Sequence, residues 1–209
     1  MTPSDTAIDK RRVILEAAVR VFARQGFHTC RVSDIADEAG VAYGLVYHYF
    51  SSKDEVLDTI FLDRWAVMLA AIREVDARPI APREKLYGIA AFIIDSYRRD
   101  PDLMKVIIVE VTRAANTFAR THLEQIREAF AALADIVRVA QAQAAFRTEV
   151  TPEFAALAFY GAIEQVLTGW IFNSEPVGEA ELERAKTLIV ETICGGLDAR
   201  GAVPEATAI

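Results

Sequence analysis

Tyr43, Tyr47 and His48, with Lys53 a few residues on, are hydrogen-bond donors crowded into one short stretch, and Gly44 stands among them without a side chain. On a helix Val46, Tyr49 and Phe50 fall at i, i+3 and i+4 and share one face, which leaves Tyr43, Gly44, Tyr47 and His48 on the other. Donors of this kind suit phosphate oxygens and base edges, and a bare glycine lets another surface come close. Tyr43, near the helix start, can reach base edges; Tyr47 and His48 can donate to phosphates. Lys53 adds a cation in the first turn of the next helix, where backbone N–H groups are also free. In the competing assignment Tyr43, Tyr47, Tyr49 and Phe50 are all core aromatics, but so short a helix cannot bury rings on every side.

Covalent or metal chemistry has no comparable constellation. His28, His48 and His122 are scattered, no two stand at i, i+4 with a carboxylate partner, and neither a nucleophile elbow nor a phosphate loop is present. Cys30 and Cys194 lie far apart, so neither a disulfide framework nor a CxxC site is suggested. The chain reads as a binding protein, not an enzyme, with no catalytic residue, metal or cofactor.

The elements that must position the donors read as all-α, since no segment keeps a period of two. A first helix is expected from about Asp9 to Gln25, with Val13, Ala17, Val21, Ala18 and Phe22 inward, Arg12, Arg20 and Arg24 toward solvent or a polyanion, and Gly26 as its stop. Short helices follow over about Val32–Ala39 and Ala42–Phe50, separated by Gly40: a helix-turn-helix. Ser52 and Glu55 form a capping box that opens a long helix carrying Val56, Ile60, Trp65, Leu69 and Ile72. Pro82 starts a helix through about Arg99, and Asp100-Pro101-Asp102 punctuates again. Two more helices fit before Thr151, then one from Pro152 to Phe172 and one from Gly178 to Leu197, about nine in all. Residues 1–52 are expected to form the helix-turn-helix domain and 53–209 a larger helical bundle.

The net charge of −7 at first argues against a polyanionic partner. Through Lys53, however, seven bases meet six acids, so the acidity sits in the remainder and the head is free to place a few cations well. Asp5, Asp9 and Lys10 to Arg12 interrupt the start before any apolar leader, which points to the cytoplasm. Phe154 to Phe172 approaches the length and apolarity of a membrane span, but Glu164, Gln165 and Thr168 inside it favour a bundle helix and no membrane.

The run Ser33-Asp34-Ile35-Ala36-Asp37-Glu38-Ala39-Gly40-Val41-Ala42-Tyr43-Gly44-Leu45-Val46-Tyr47-His48-Tyr49-Phe50-Ser51-Ser52-Lys53 resembles the DNA-binding segment of the TetR family of repressors. Ile14-Leu15-Glu16-Ala17-Ala18 and Phe22-Ala23-Arg24-Gln25-Gly26-Phe27 precede it in the same order and distance. The resemblance implies a ligand-responsive repressor that binds a palindromic operator in double-stranded DNA as a homodimer. It puts Arg31 and Ser33 near phosphate at the start of the second helix, Ala42, Tyr43, Gly44 and Leu45 near bases, and Tyr47, His48 and Lys53 on the backbone. Leu45 would meet a thymine methyl. Arg31 and Ala42 stand where the family commonly has Ser or Thr, so two capping bonds of about 1 kcal/mol each are expected to be missing, with Cys30 or Ser33 as substitutes at the first.

For the body, the resemblance implies a cavity for a small hydrophobic effector, with Trp65, Phe92, Tyr97, Met104, Ile107, Glu110, Val111, Arg113, Gln165, Thr168 and Trp170 as ligand contacts. Residues 106–118 and Gly161 to Trp170 resemble the branch that responds to fatty acyl-coenzyme A, with Arg98, Arg99, Lys105, Arg113 or Arg120 meeting its phosphates. Ala155, Ala158, Gly161, Ala162 and Gly169 permit close helix approach, so the last two helices of each subunit are expected to form a two-fold four-helix interface.

Overall fold

Helix α1 spans Pro3–Gln25, six residues ahead of the expected start, because apolar periodicity begins only near Val13 and cannot reveal the polar turns before it. In the computed structural model the described residues are 3–110, 120–173 and 177–197, with side chains described over 10–109, 124–173 and 177–196. Gly26 at φ 81° ends α1 in the left-handed region that favours glycine. Ile14, Ala17, Ala18, Val21 and Phe22 form its fully buried stripe, while Val13 is half-buried.

Then come α2 (Val32–Ala39), α3 (Tyr43–Tyr49), α4 (Lys53–Asp76), α5 (Pro82–Arg99) and α6 (Pro101–Lys105), which runs directly into a π-helical stretch, Val106–Glu110. After them stand α7 (Arg120–Ala142), α8 (Pro152–Asn173) and α9 (Glu179–Leu197), so the described residues hold nine α-helices. The caps follow the sequence. Asp100 accepts from the Leu103 N–H at 2.9 Å with Pro101 in the first turn of α6, and Thr151 Oγ1 accepts from Phe154 N at 3.3 Å to open α8. At α4 the box is offset by one residue. Ser52 Oγ accepts from Glu55 N at 3.1 Å, but the Glu55 carboxylate returns to the N–H and hydroxyl of Ser51, both at 2.6 Å. Those two bonds hold the Glu55 carboxyl below the ordinary range.

Contacts divide the chain into two units: Met1–Val67 with Ser96–Gln125, and Met68–Asp95 with Ile126–Ile209. In the first, α1 packs on α2, on α6 and on the π-helical stretch, and α2 packs on α3; Val56, Leu57, Ile60 and Phe61 of α4 are buried. In the second, α8 packs on α9, and a Cβ at Gly88 of α5 would meet Val75 Cγ1 of α4 at 3.3 Å, so the helices cross closely there. Helix α8 is long and apolar enough by length and composition to cross a bilayer; Ala155, Ala156, Phe159, Ile163 and Leu167 bury one side of it in protein. Glu164 is half-buried on this helix, and burial raises its carboxyl pKa.

One ionic group is fastened inside the second unit. Lys186 of α9 is 3% exposed, and its Nζ donates to Asp95 Oδ1 of α5 at 2.8 Å and to Glu183 Oε1 at 2.5 Å. Burial alone would lower its pKa; the two carboxylates outweigh that and hold it above the ordinary 10.5. A raised pKa means that this stabilisation is complete below about pH 10.5 and fades only as pH climbs through the folded value. Lys186→Met is expected to cost about 1 kcal/mol in urea unfolding, because Asp95 and Glu183, 28% and 50% exposed, lose the buried ammonium but keep access to water. A cost under half a kcal/mol would show that the pair does not hold α9 to α5.

Candidate nucleic-acid interface

Helix α2 begins at Arg31, whose extended backbone (φ −111°, ψ 159°) turns the chain into the helix. Its side chain cannot accept a hydrogen bond, and neither Cys30 nor Ser33 replaces it. The Cys30 thiol bonds to Phe27 O at 3.4 Å, and it is the Asp34 carboxylate that takes the Arg31 N–H, at 2.7 Å. An acid three residues into a helix was the available signal for this bond. At the other end Gly40, at φ 63°, closes α2 with its N–H on Asp37 O at 3.1 Å and Val41 N–H on Ala36 O at 3.0 Å, the glycine-terminated turn of a helix-turn-helix. Ala42 starts α3 with no side-chain cap, as expected.

Helix α3 separates its residues as the spacing predicts. Val46 and Phe50 are buried; Ala42, Tyr43, Gly44, Tyr47 and His48 are exposed; Leu45 and Tyr49 lie half-buried between. Tyr43 and Tyr47 are 52% and 45% exposed, their rings meet edge to face at 5.1 Å, and their hydroxyls share a 3.3 Å hydrogen bond. That bond, with some desolvation, raises the Tyr47 pKa. No atom lies within 4 Å of a Cβ built on Gly44, so nothing in the chain itself requires glycine there. Arg31 is exposed and Ser33 half-buried at the start of α2.

The cations of this unit are more engaged than their exposure suggests. Glu38 of α2 receives Arg20 Nε at 2.7 Å and Arg24 at 3.2 Å, both from α1, and these arginines hold its carboxyl below the ordinary range. Arg12 pairs with Glu16 at 3.1 Å, and the Arg11 guanidinium lies 5.3 Å from the Phe50 ring centroid. Lys53, half-buried, donates to Phe27 O at 2.5 Å and to Cys30 O at 2.9 Å. Apart from the i, i+4 pair Arg12–Glu16, these pairings span 14 residues or more and leave no local pattern, so periodicity could not have exposed them.

The residues expected at an effector are distributed over both units. Trp65, Met104 and Ile107 are buried in the first, with Trp65 5.8 Å from Phe61 ring to ring. Tyr97 is half-buried there, its pKa raised by burial. In the second unit Phe92, Thr168 and Trp170 are half-buried and Gln165 is exposed. Val111 and Arg113 lie outside the described residues, as do the side chains of Glu110 and Arg120; Arg98 and Arg99 are exposed and Lys105 half-buried. Trp170 Nε1 donates to Glu181 at 3.2 Å at the edge of an open groove of about 570 Å³ between α8 and α9, lined also by Val166, Arg184 and Leu188. Phe154, Leu157 and Phe172 of α8, which share one helix face with Gly161 by their spacing, and Leu188 of α9 are each more than half exposed.

Residues 14–60 match the family described as bacterial regulatory proteins, tetR family, and residues 82–193 match the tetracyclin repressor-like C-terminal domain. The fatty acid metabolism regulator protein of Bacillus subtilis (strain 168) is 25% identical over 185 residues, covering 88% of this chain and 93% of that protein. The HTH-type transcriptional repressor KstR2 of Mycobacterium tuberculosis is 39% identical over 83 residues, 38% of this chain and 40% of that protein. The structure of the fatty acid degradation regulator FadR from Bacillus halodurans aligns at a TM-score of 0.81 and 26% identity, covering 94% of this chain and 97% of that one. FadR from Bacillus subtilis, crystallised with stearoyl-CoA, shares the fold at a TM-score of 0.76 and 23% identity, covering 88% and 98% of the two chains.

Proposed function

Since the chain belongs to the tetR family of bacterial regulatory proteins and is a regulator, not an enzyme, we propose that it is a cytoplasmic repressor that grips a palindromic operator as a homodimer and releases it on binding a fatty acyl-CoA. The observation that carries this reading is the two-sided α3: Val46 and Phe50 anchor it inward while Ala42, Tyr43, Gly44, Tyr47 and His48 are offered outward. In the major groove, Tyr43 and Leu45 meet base edges, Gly44 admits the duplex to the helix backbone, and Tyr47, His48, Arg31 and Ser33 take phosphates. Residues 1–52 act as the DNA-binding head and 53–209 as the effector and dimerisation body.

The exposed apolar face of α8 and α9 is the reason to infer a dimer through these helices, since an unpaired monomer seldom leaves such a patch in water. Two-fold pairing sets the recognition helices about one DNA turn, ~35 Å, apart. Glu164 midway along α8 argues for pairing with protein and against insertion in lipid. Gln165 and Trp170 then belong to the subunit contact, and the buried Trp65, Met104 and Ile107 remain the acyl-chain candidates.

The effector class is supported by the fatty acid metabolism regulator that is similar along most of the chain, and by the shared fold of the protein crystallised with stearoyl-CoA. Titrating stearoyl-CoA into a complex of the protein with DNA flanking its own gene is expected to lower fluorescence anisotropy to the value of free DNA. Native mass spectrometry should show one thioester per subunit. A complex indifferent to the thioester, from a protein that carries none, would reject the effector; a protein that leaves every flanking fragment unbound would reject the repressor.

A further inference from the structure

We propose that Arg11, on α1, holds a phosphate of the duplex at the end of the recognition surface. The ligand rests on the repressor reading above; the seat itself rests on geometry. The guanidinium carbon of Arg11 lies 5.3 Å from the centroid of the Phe50 ring. Phe50 is 2% exposed and caps the C-terminus of α3, two residues after His48, whereas Arg11 is exposed. The guanidinium therefore rests on the rim of the hydrophobic interior with its donors open to solvent, beside the end of the helix that carries Tyr47 and His48.

Its charge is not neutralised within the protein. Arg12 is paired with Glu16, and Arg20 and Arg24 share Glu38, so three of the four arginines of α1 face carboxylates. Among the described residues no carboxylate lies within ion-pairing distance of Arg11. Glu55, whose carboxyl is held below the ordinary range chiefly by its bonds to Ser51, feels Arg11 only as a charge beyond contact. A guanidinium stacked on a ring keeps a fixed orientation, and its planar fork then fits two phosphate oxygens. Lys53, which stands between Phe50 and Glu55 in the chain, donates to Phe27 O and Cys30 O and keeps a third ammonium donor for the phosphate expected of it. Arg11 extends that backbone contact from α4 to α1.

The experiment follows fluorescence anisotropy over a series of salt concentrations, for the full-length protein and its Arg11→Gln, Arg11→Lys and Arg73→Gln variants. Each is titrated onto DNA flanking its own gene and onto a scrambled duplex of the same length. For Arg11→Gln the expected results are a Kd about tenfold higher on both duplexes near ~0.1 M salt and a slope of log K against log salt smaller by about 0.9. Its Tm should stay within about two degrees of the parent, because the side chain is exposed. Arg73, paired with Glu128 in the second unit, is the control for net charge, and its removal is expected to leave the slope unchanged. An unchanged slope in a folded Arg11→Gln protein overturns the proposal. So does an equal fall in the Arg73→Gln protein, which would reduce the effect to overall charge. Arg11→Lys decides the case if the glutamine variant does not fold. Lysine keeps the charge but not the stacked fork, so a parental slope with a Kd about threefold higher supports the seat, and a parental Kd refutes it. A parent that binds neither duplex rejects the repressor and the seat together; a parent that binds, matched by an equally tight Arg11→Gln protein, rejects the seat alone.

Discussion

Replacing Tyr43 and Tyr47 together by alanine is expected to weaken operator binding about a hundredfold while Tm moves by no more than a degree or two. Each ring loses one polar contact and one apolar contact with the duplex, and about 1.4 kcal/mol per residue is a factor of ten. Folding loses little, since both rings are about half exposed and lean chiefly on one another, an edge-to-face contact of about 1 kcal/mol at most. Alanine's better helix propensity returns several tenths of that. Tyr47→Phe separates hydroxyl from ring. Gly44→Ala sharpens the same experiment with opposite signs: with open space around the added Cβ the helix gains up to about 1 kcal/mol, yet the duplex is held off and affinity drops. Variants that melt early and bind normally would return these residues to the core and remove the interface.

The second large effect concerns the pairing of chains. Leu157→Asp with Leu188→Asp should turn a dimer into a monomer in sedimentation velocity and lower operator affinity about a thousandfold. A lone head gives up the effective concentration that holds the second half-site. Both leucines are more than half exposed in the single chain, so the fold itself does not depend on them. Gly161→Leu is a gentler wedge; its new side chain begins in open space within the subunit but fills the close approach that a small residue permits. A doubly substituted protein that still sediments as a dimer would move the interface elsewhere.

The sequence exposed what is local. The bounds of α2 and α5, and the start of α8 at Pro152, followed from caps and breakers, and the two faces of α3 followed from i, i+3, i+4 spacing. Where a signal was shared between neighbours it slipped by one residue: Glu55 chose Ser51 because the preceding N–H lies within its reach. Where periodicity was missing, as in the first turns of α1, the start was missed. The long-range ionic geometry was invisible. Nothing near Lys186 signals that Asp95 will meet it, and nothing near Glu38 names Arg20 and Arg24 as its partners. Gln165 looked like a polar group in an apolar pocket because α8 is hydrophobic almost all round, which conceals which side is covered.

The Glu38 clamp bears on how such a molecule fares in a crowded chromosome. One carboxylate set between two arginines cancels part of the field that would draw the head toward any duplex, so few counterions are freed on random sequence. Millions of decoy sites then compete poorly, and occupancy of the true target varies less with how many copies a cell contains. Glu38→Gln is a change that would make the protein stickier without making it more discerning.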